Sequence, residues 1–212
     1  GVVQFRLNLY TVLPRSAALV GWAFTLVLVG GIRTGRTVFF LRYKVEPRKG
    51  PRKDKLSHVL VIGGAGYIGS TLVRQLLDAK CHVRVLDRFL FGDKSINELY
   101  DRPDFEAIQG DFRHVESLVR ALRGVDAVVH LGALVGDPAC ALDDGATIDI
   151  NTNAVRMIRE ACRGYGIQRF MFASTCSTYG AQDGVIDERS KLAPVSLYAE
   201  SKIDAERALI QA

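Results

Sequence analysis

The sequence predicts an α/β domain built on a doubly wound parallel sheet, and three features of residues 57–212 predict it. Short apolar segments of strand length alternate with segments of helical pattern. A glycine-rich turn joins the first strand to the first helix. Small or polar residues follow the strand ends. Together these features indicate a sheet with helices on both faces and a ligand site at one edge.

The alternation covers five predicted strands and four predicted helical segments. The strands are 58–63, 82–87, 105–111, 126–133 and 169–175, and the helical segments lie near 67–79, 93–100, 114–123 and 147–164. Uninterrupted apolar strands joined by helices indicate a parallel sheet that is covered on both faces. Such sheets bind ligands outside the carboxyl ends of their strands, so functional residues are expected just after each strand.

A dinucleotide-binding turn is predicted after the first strand, in GGAGYIGS (63–70). Gly63, Gly66 and Gly69 allow a sharp turn, a close approach of backbone to a pyrophosphate and tight packing of helix on strand. The N–H groups that open the helix, at Tyr67 and Ile68, then face the phosphates. The strand before the motif and the helix after it are the context that this motif requires.

Charged residues after the second and third strands are predicted to bind the adenosine part. Asp87 lies 18 residues after Gly69, where a carboxylate accepts both ribose hydroxyls of NAD and repels the 2′-phosphate of NADP. Arg88 beside it would favour the phosphate instead. Asp111, followed by Phe112 in GDFR, is placed to reach the adenine amino group, with a helix cap as the alternative.

The fourth strand ends in HLGAL (130–134), whose small residues suit backbone lying against a dinucleotide. Leu131 and Ala133 are therefore predicted to line the cofactor site. His130 is interpreted as a packed structural histidine rather than a catalyst.

Three residues form the predicted catalytic set. Tyr198 and Lys202 of YAESK share one helix face, and an adjacent ammonium favours the phenolate, which makes Tyr198 a base for a sugar hydroxyl. Thr175, 23 residues before Tyr198, would hydrogen-bond the same substrate oxygen. Ser174 could take its place. A lone YxxxK also occurs on exposed helix faces, so the assignment depends on the other motifs.

Charge and cysteine content exclude several classes of protein. The segment 33–55 carries +7 and residues 1–32 carry +2, so with +5 for the whole chain residues 56–212 are mildly acidic at −4. An acidic domain is poorly suited to nucleic acid. The four cysteines and four histidines have no ligand spacing, which predicts reduced thiols, a cytosolic compartment and no metal.

The N-terminal part is predicted to be separate from this domain. Residues 1–44 contain an uncharged segment, 16–32, whose length of about 25 Å as a helix is at the short end for crossing a bilayer. The basic linker 45–56 would stay on the cytoplasmic side and contact anionic lipid. A buried core helix is the main alternative, and a signal peptide fits poorly because no small-residue cleavage site precedes the charges.

These motifs, with INTN around Asn151, resemble the extended short-chain dehydrogenase/reductases, the NAD-dependent epimerase/dehydratase family with a Rossmann fold. The resemblance implies bound NAD, a nucleotide-sugar substrate, catalytic roles for Thr175, Tyr198 and Lys202, and Asn151 near the cofactor. A helix cap is the other role open to Asn151. Family members often pair through the helices near YxxxK, which implies a homodimer. Segment 16–32 resembles the last membrane helix of membrane-bound nucleotide-sugar dehydratases.

Two departures from the family refine the expected function. Sugar-nucleotide dehydratases carry an acidic pair where this chain has Cys176 and Ser177, so a nucleotide-sugar 4-epimerase is expected first, with a dehydratase or keto-sugar reductase as alternatives. The family's C-terminal substrate domain is expected to be missing, because the chain ends ten residues after Lys202. A non-catalytic, membrane-tethered NAD-binding module is therefore a further alternative. The loop 135–145 is expected to contact the sugar.

Overall fold

The computed structural model describes residues 57–167 and 169–211, so the predictions for 1–44 and for the linker 45–56 lie outside the described residues. The strands are β1 (His58–Ile62), β2 (His82–Asp87), β3 (Phe105–Gln109), β4 (Ala127–His130) and β5 (Arg169–Phe172). The helices are α1 (Tyr67–Asp78), α2 (Val115–Leu122), α3 (Asp137–Cys140), α4 (Asp144–Ile148), α5 (Ala154–Gly164) and α6 (Leu197–Ile210).

All five strands are parallel, in the order β3-β2-β1-β4-β5. The chain runs outward from β1 to β3, then returns to the other side of β1 with β4, so the winding reverses between β1 and β4. Ligands of doubly wound sheets bind at this reversal point. The predicted parallel α/β fold is confirmed.

Strand β1 shows why residues 59–62 are uninterruptedly apolar. Leu60 and Ile62 pack into the core on one face of the sheet, and Val59 and Val61 pack into the core on the other. Successive side chains of a strand point to opposite faces, so a strand covered on both sides has no polar positions. Strand β1 is therefore held by packing on both faces, and the glycine-rich turn begins directly at its end.

One predicted helix is wrong. Within the segment 93–100 the structure has only a short 3-10 turn, Asn97–Leu99. The hydroxyl of Ser95 donates to the carbonyl of Ala65 at 2.7 Å, and the carbonyl of Ser95 accepts from Arg74 at 2.7 Å. These tertiary bonds fix the segment as a loop against the glycine-rich turn and α1.

Within residues 57–167 and 169–211, no helix is long and apolar enough to cross a membrane. The candidate membrane segment 16–32 lies outside those ranges.

Candidate active site

Two glycines of the glycine-rich turn, Gly63 and Gly69, are packed so closely that a side chain is excluded at each. Gly63 has φ of +81°, a conformation that favours glycine, and a Cβ at Gly69 would lie 2.3 Å from the carbonyl oxygen of Gly63. Gly66 differs, because its nearest neighbour to a built Cβ is the Gly63 oxygen at 3.3 Å. Gly66 is exposed and lines a cleft, where a side chain would occupy ligand space.

Asp87, at the end of β2, binds two backbone segments. One carboxylate oxygen accepts from the N–H of Ala65 at 3.0 Å, and the other accepts from the N–H of Phe89 at 2.9 Å. Phe89 has φ of +56°, which is uncommon for a residue with a side chain, and the bond to Asp87 holds it there. The carboxylate is therefore fixed beside the glycine-rich turn, with lone pairs left for two hydroxyls.

Asp111 is paired with arginines. Its carboxylate accepts from Arg113, with the shortest bond at 2.7 Å, and lies 3.6 Å from Arg88. The hydrogen bonds from Arg113 hold the pKa of Asp111 below its ordinary value. Residue 114, and not Asp111, is the N-cap of α2, so the helix-cap alternative is wrong. Arg88 lies near the carboxylate of Asp111, which would compete with the 2′-phosphate of NADP for the charge of Arg88.

The end of β4 brings a buried histidine under the cleft. His130 is 1% exposed, and its ring lies 5.2 Å from the ring of Phe112 in an edge-on arrangement. Neither ring nitrogen has a hydrogen-bond partner among the described residues. Burial, and then the charge of Lys202, lower the pKa of His130 to about 3, so the ring is neutral. Its packing agrees with the structural role expected from the sequence.

Asn151 is neither a helix cap nor part of the cleft wall. It lies in a π-helical turn, Asp149–Asn153, and is 2% exposed. Its amide oxygen accepts from the N–H of Leu134, and its amide nitrogen donates to the Leu134 carbonyl, both at 2.9 Å. The same nitrogen donates to the hydroxyl of Ser201 at 3.2 Å. Asn151 thus ties the loop after β4 to α6.

The predicted base and lysine are buried on α6. The helix begins after Ser196, whose hydroxyl accepts from the N–H of Ala199 at 3.3 Å. Tyr198 is 8% exposed and Lys202 4% exposed, one helical turn apart. The Lys202 ammonium lies 4.2 Å from the centre of the Phe172 ring. Burial lowers the pKa of Lys202 to about 8, and Glu206 opposes this effect.

Thr175 opens a 3-10 turn, Cys176–Tyr179, just beyond the end of β5. Its hydroxyl oxygen accepts from the N–H of Ser177 at 3.2 Å and lies 3.2 Å from the hydroxyl oxygen of Ser177. The Thr175 carbonyl accepts from the hydroxyl of Thr178 at 2.9 Å. The position of Thr175 is therefore fixed from both its side chain and its backbone.

Many of these groups line one cleft of about 490 Å³, a size that suits a small-molecule ligand. Its lining includes the predicted residues Gly63, Gly66, Tyr67, Ile68, Gly69, Asp87, Arg88, Asp111, Phe112, Leu131, Ala133, Tyr198 and Lys202. The lining stops at Ser174, next to Thr175, and at Ile150, next to Asn151.

Three residues of this region were not identified from the sequence. Ser201 joins Asn151 to α6, Phe172 faces Lys202, and Arg113 holds Asp111. Ser201 and Arg113 are inside the quoted motifs YAESK and GDFR, which is the one signal that could have drawn attention to them.

Comparison with known proteins identifies the family. The sequence profile of the NAD dependent epimerase/dehydratase family matches residues 59–212. The chain belongs to this family. The family match covers the described sheet from Val59 onward and all the helices around the cleft.

Among curated members, a UDP-glucose 4-epimerase of Lacticaseibacillus casei is 36% identical over 152 residues, which are 70% of this chain and 45% of the relative. A UDP-glucose 4-epimerase of Rhizobium meliloti (strain 1021) is 34% identical over 156 residues, covering 72% and 46%. The chain thus spans about half the length of the curated relatives it matches.

Among solved structures, the UDP-Glc/GlcNAc 4-epimerase of Campylobacter jejuni matches with a TM-score of 0.69 and 31% identity, covering 73% of this chain and 48% of that one. The UDP-glucuronic acid 4-epimerase of Bacillus cereus, in complex with NAD, matches with a TM-score of 0.67 and 28% identity, covering 73% and 52%.

Proposed function

We propose that this chain is the cofactor-binding part of an NAD-dependent nucleotide-sugar 4-epimerase. One observation carries the proposal: buried Tyr198 and Lys202 line the same cleft as the glycine-rich turn, so a proton-accepting group and a dinucleotide site share one cavity. Family membership supports it, as do the relatives named above, which are 4-epimerases.

The cleft fits NAD on structural grounds. A side chain at Gly66 would fill the cradle beside the glycine-rich turn, and the N–H groups of Tyr67 and Ile68 open α1 there. The fixed carboxylate of Asp87 suits two ribose hydroxyls, and the Asp111–Arg88 pair would lie beside the adenine. When bound, NAD supplies the acceptor and donor of a hydride.

The side chains of this chain would handle the proton. The Tyr198 phenolate oxygen takes the proton of the sugar 4-hydroxyl and later returns it, so the protein ends each turnover unchanged. The Lys202 ammonium, one helical turn away, would add its positive charge to the same cleft. The Thr175 hydroxyl donates a hydrogen bond to the substrate oxygen as charge develops on it. The 4-keto sugar that forms must then rotate within the cleft, so that it is reduced on its opposite face.

The proposed substrates are UDP-hexoses. The relatives named above are epimerases of UDP-glucose, of UDP-Glc/GlcNAc or of UDP-glucuronic acid. Cys176 and Ser177, directly after Thr175, carry no carboxylate for removing water from a sugar, which favours epimerisation over dehydration. The loop 135–145 follows β4 beside the cleft and is proposed to contact the sugar.

The remaining organisation is proposed from the sequence. Residues 1–44 would form an N-terminal unit with a membrane-associated helix at 16–32, followed by the basic linker 45–56 and the Rossmann domain 57–212. The cleft would then lie on the cytoplasmic side of the cell membrane, because basic residues follow the apolar segment. A homodimer through the helices near Tyr198 and Lys202 is proposed by the family resemblance.

Epimerisation of a defined substrate tests the proposal. The intact protein, without added NAD, is incubated separately with UDP-glucose and UDP-glucuronic acid, and the C4 epimers are quantified by NMR. The expected result is an equilibrium mixture of the two epimers from at least one substrate. A product that forms only with added NAD or NADH would indicate a dehydrogenase or reductase. No product from either sugar, in protein that retains NAD, would contradict the proposal for these sugars.

A further inference from the structure

Two hydroxyl groups form a pair at the end of β5. The Thr175 and Ser177 hydroxyl oxygens lie 3.2 Å apart, and both side chains are half-buried. Either hydroxyl can be the donor, because a hydroxyl proton rotates to suit its neighbours. Thr175 also accepts from the N–H of Ser177 at 3.2 Å. Here the Thr175 hydroxyl donates to the Ser177 hydroxyl oxygen, and rotation of the two hydroxyls reverses this bond, so that Ser177 can present two donors to the Thr175 oxygen, its N–H and its O–H.

The rest of the 3-10 turn fixes the backbone at Thr175. The Thr178 hydroxyl donates to the Thr175 carbonyl at 2.9 Å, and the Thr178 carbonyl accepts from Ala193 at 3.0 Å. Thr178 is itself 2% exposed, so the turn is anchored in the interior. The backbone and the hydroxyl oxygen of Thr175 are therefore fixed. Only the direction of its hydroxyl proton remains to be set by the neighbouring groups.

We propose that Ser177 is a positioning residue that makes the Thr175 hydroxyl a donor toward the substrate oxygen. A hydroxyl has two lone pairs and one proton. When the N–H and O–H of Ser177 occupy both lone pairs, the Thr175 proton points away from Ser177 and is free for the substrate. The inference rests on the proposed epimerase function, in which the substrate oxygen becomes negative during proton loss.

The substitution Ser177→Ala removes one of the two donors and keeps the N–H. The N-cap of the turn is therefore retained, while the Thr175 proton is no longer directed. We expect kcat to fall about tenfold, the usual scale for one hydrogen bond to a group that gains charge, with KM unchanged. Ser177→Thr keeps the hydroxyl and is expected to restore kcat. Cys176→Ser changes the exposed neighbour of Thr175 and is the matched control.

A double substitution separates positioning from a structural role. If Ser177 acts through Thr175, Ser177→Ala has no further effect on single-turnover rates in a Thr175→Ala background. An equal loss in both backgrounds, or a Ser177→Ala protein as active as the wild type, overturns the inference while the epimerase activity stands. A wild-type protein that binds NAD and epimerises no nucleotide sugar overturns both this inference and the proposed function.

Discussion

The two ends of the cleft are built differently. At the nucleotide end, the glycine-rich turn supplies backbone, and the charged groups already have partners: Asp87 accepts two backbone N–H groups and Asp111 is paired with Arg113. At the catalytic end, polar side chains are buried. Neither ring nitrogen of His130 has a hydrogen-bond partner within residues 57–167 and 169–211, and the Lys202 ammonium faces an aromatic ring.

This difference has a physical consequence. Backbone donors survive most substitutions, so the nucleotide end should tolerate changes to its polar side chains. Buried polar groups are costly when a partner is lost, so the catalytic end should be sensitive to single substitutions. Substitutions at the two ends therefore test whether the two ends differ in their tolerance to substitution.

Tyr198→Phe should have the strongest effect. The substitution removes the phenolic oxygen and keeps the packing of a residue that is 8% exposed. We expect kcat to fall about 10²–10⁴-fold, the range for loss of a general base, with NAD content and thermal stability little changed. Tyr100→Phe, at an exposed tyrosine, should leave kcat at the wild-type value. A Tyr198→Phe protein with near wild-type turnover would show that another group moves the proton.

Asn151→Ala tests the clamp between the loop after β4 and α6. The substitution removes three hydrogen bonds, two to Leu134 and one to Ser201, at about 1 kcal/mol each, so we expect a loss of about 3 kcal/mol in the free energy of unfolding. Urea denaturation measures it. Asn153→Ala, at an exposed position of the same π-helical turn, should change stability by less than about 0.5 kcal/mol. Equal effects of the two substitutions would remove the case for a clamp.

His130 predicts acid sensitivity. Its pKa is lowered from 6.5 to about 3 by burial, so the folded state binds fewer protons than the unfolded state as the pH falls below 6.5. Above pH 6.5 His130 is neutral in both the folded and the unfolded state, so the free energy of unfolding does not depend on its protonation. Below pH 6.5 proton binding favours the unfolded state, and the free energy of unfolding should fall by about 2 kcal/mol by about pH 5. His130→Leu should flatten this part of the pH profile of unfolding, whereas His114→Gln, at an exposed histidine, should not. An unchanged slope in His130→Leu would contradict the burial argument.

Asp87→Asn should have the smallest effect of the four. The amide oxygen can accept only one of the two N–H groups that Asp87 binds, but the backbone donors that open α1 remain, so we expect NAD affinity to fall about tenfold with kcat unchanged at saturating cofactor. Titration of the apoprotein with NAD measures it, and Asp78→Asn at an exposed site is the control. A complete loss of NAD binding would mean that the nucleotide end depends on side chains as strongly as the catalytic end does.

The fold was predictable because its signals are local. A parallel strand segment covered on both faces must be apolar, as residues 59–62 of β1 are, and the glycine-rich turn consists of consecutive residues. The prediction of a helix at 93–100 was wrong because the tertiary hydrogen bonds of Ser95 outweigh the helical pattern of the segment. The role of Asn151 could not be predicted, since it depends on Ser201, which is 50 residues away along the chain. Contacts between helical segments far apart in sequence leave no trace in local spacing.

Absorbance at about 340 nm, followed while UDP-sugar is added to the intact NAD-containing protein, tests most directly whether one cleft performs both proton and hydride transfer. We predict a small rise that is limited to the bound cofactor, needs no added NAD and disappears in Tyr198→Phe. Continuous accumulation of reduced cofactor that depends on added NAD would contradict internal transfer, and an unchanged rise in Tyr198→Phe would contradict the role of Tyr198.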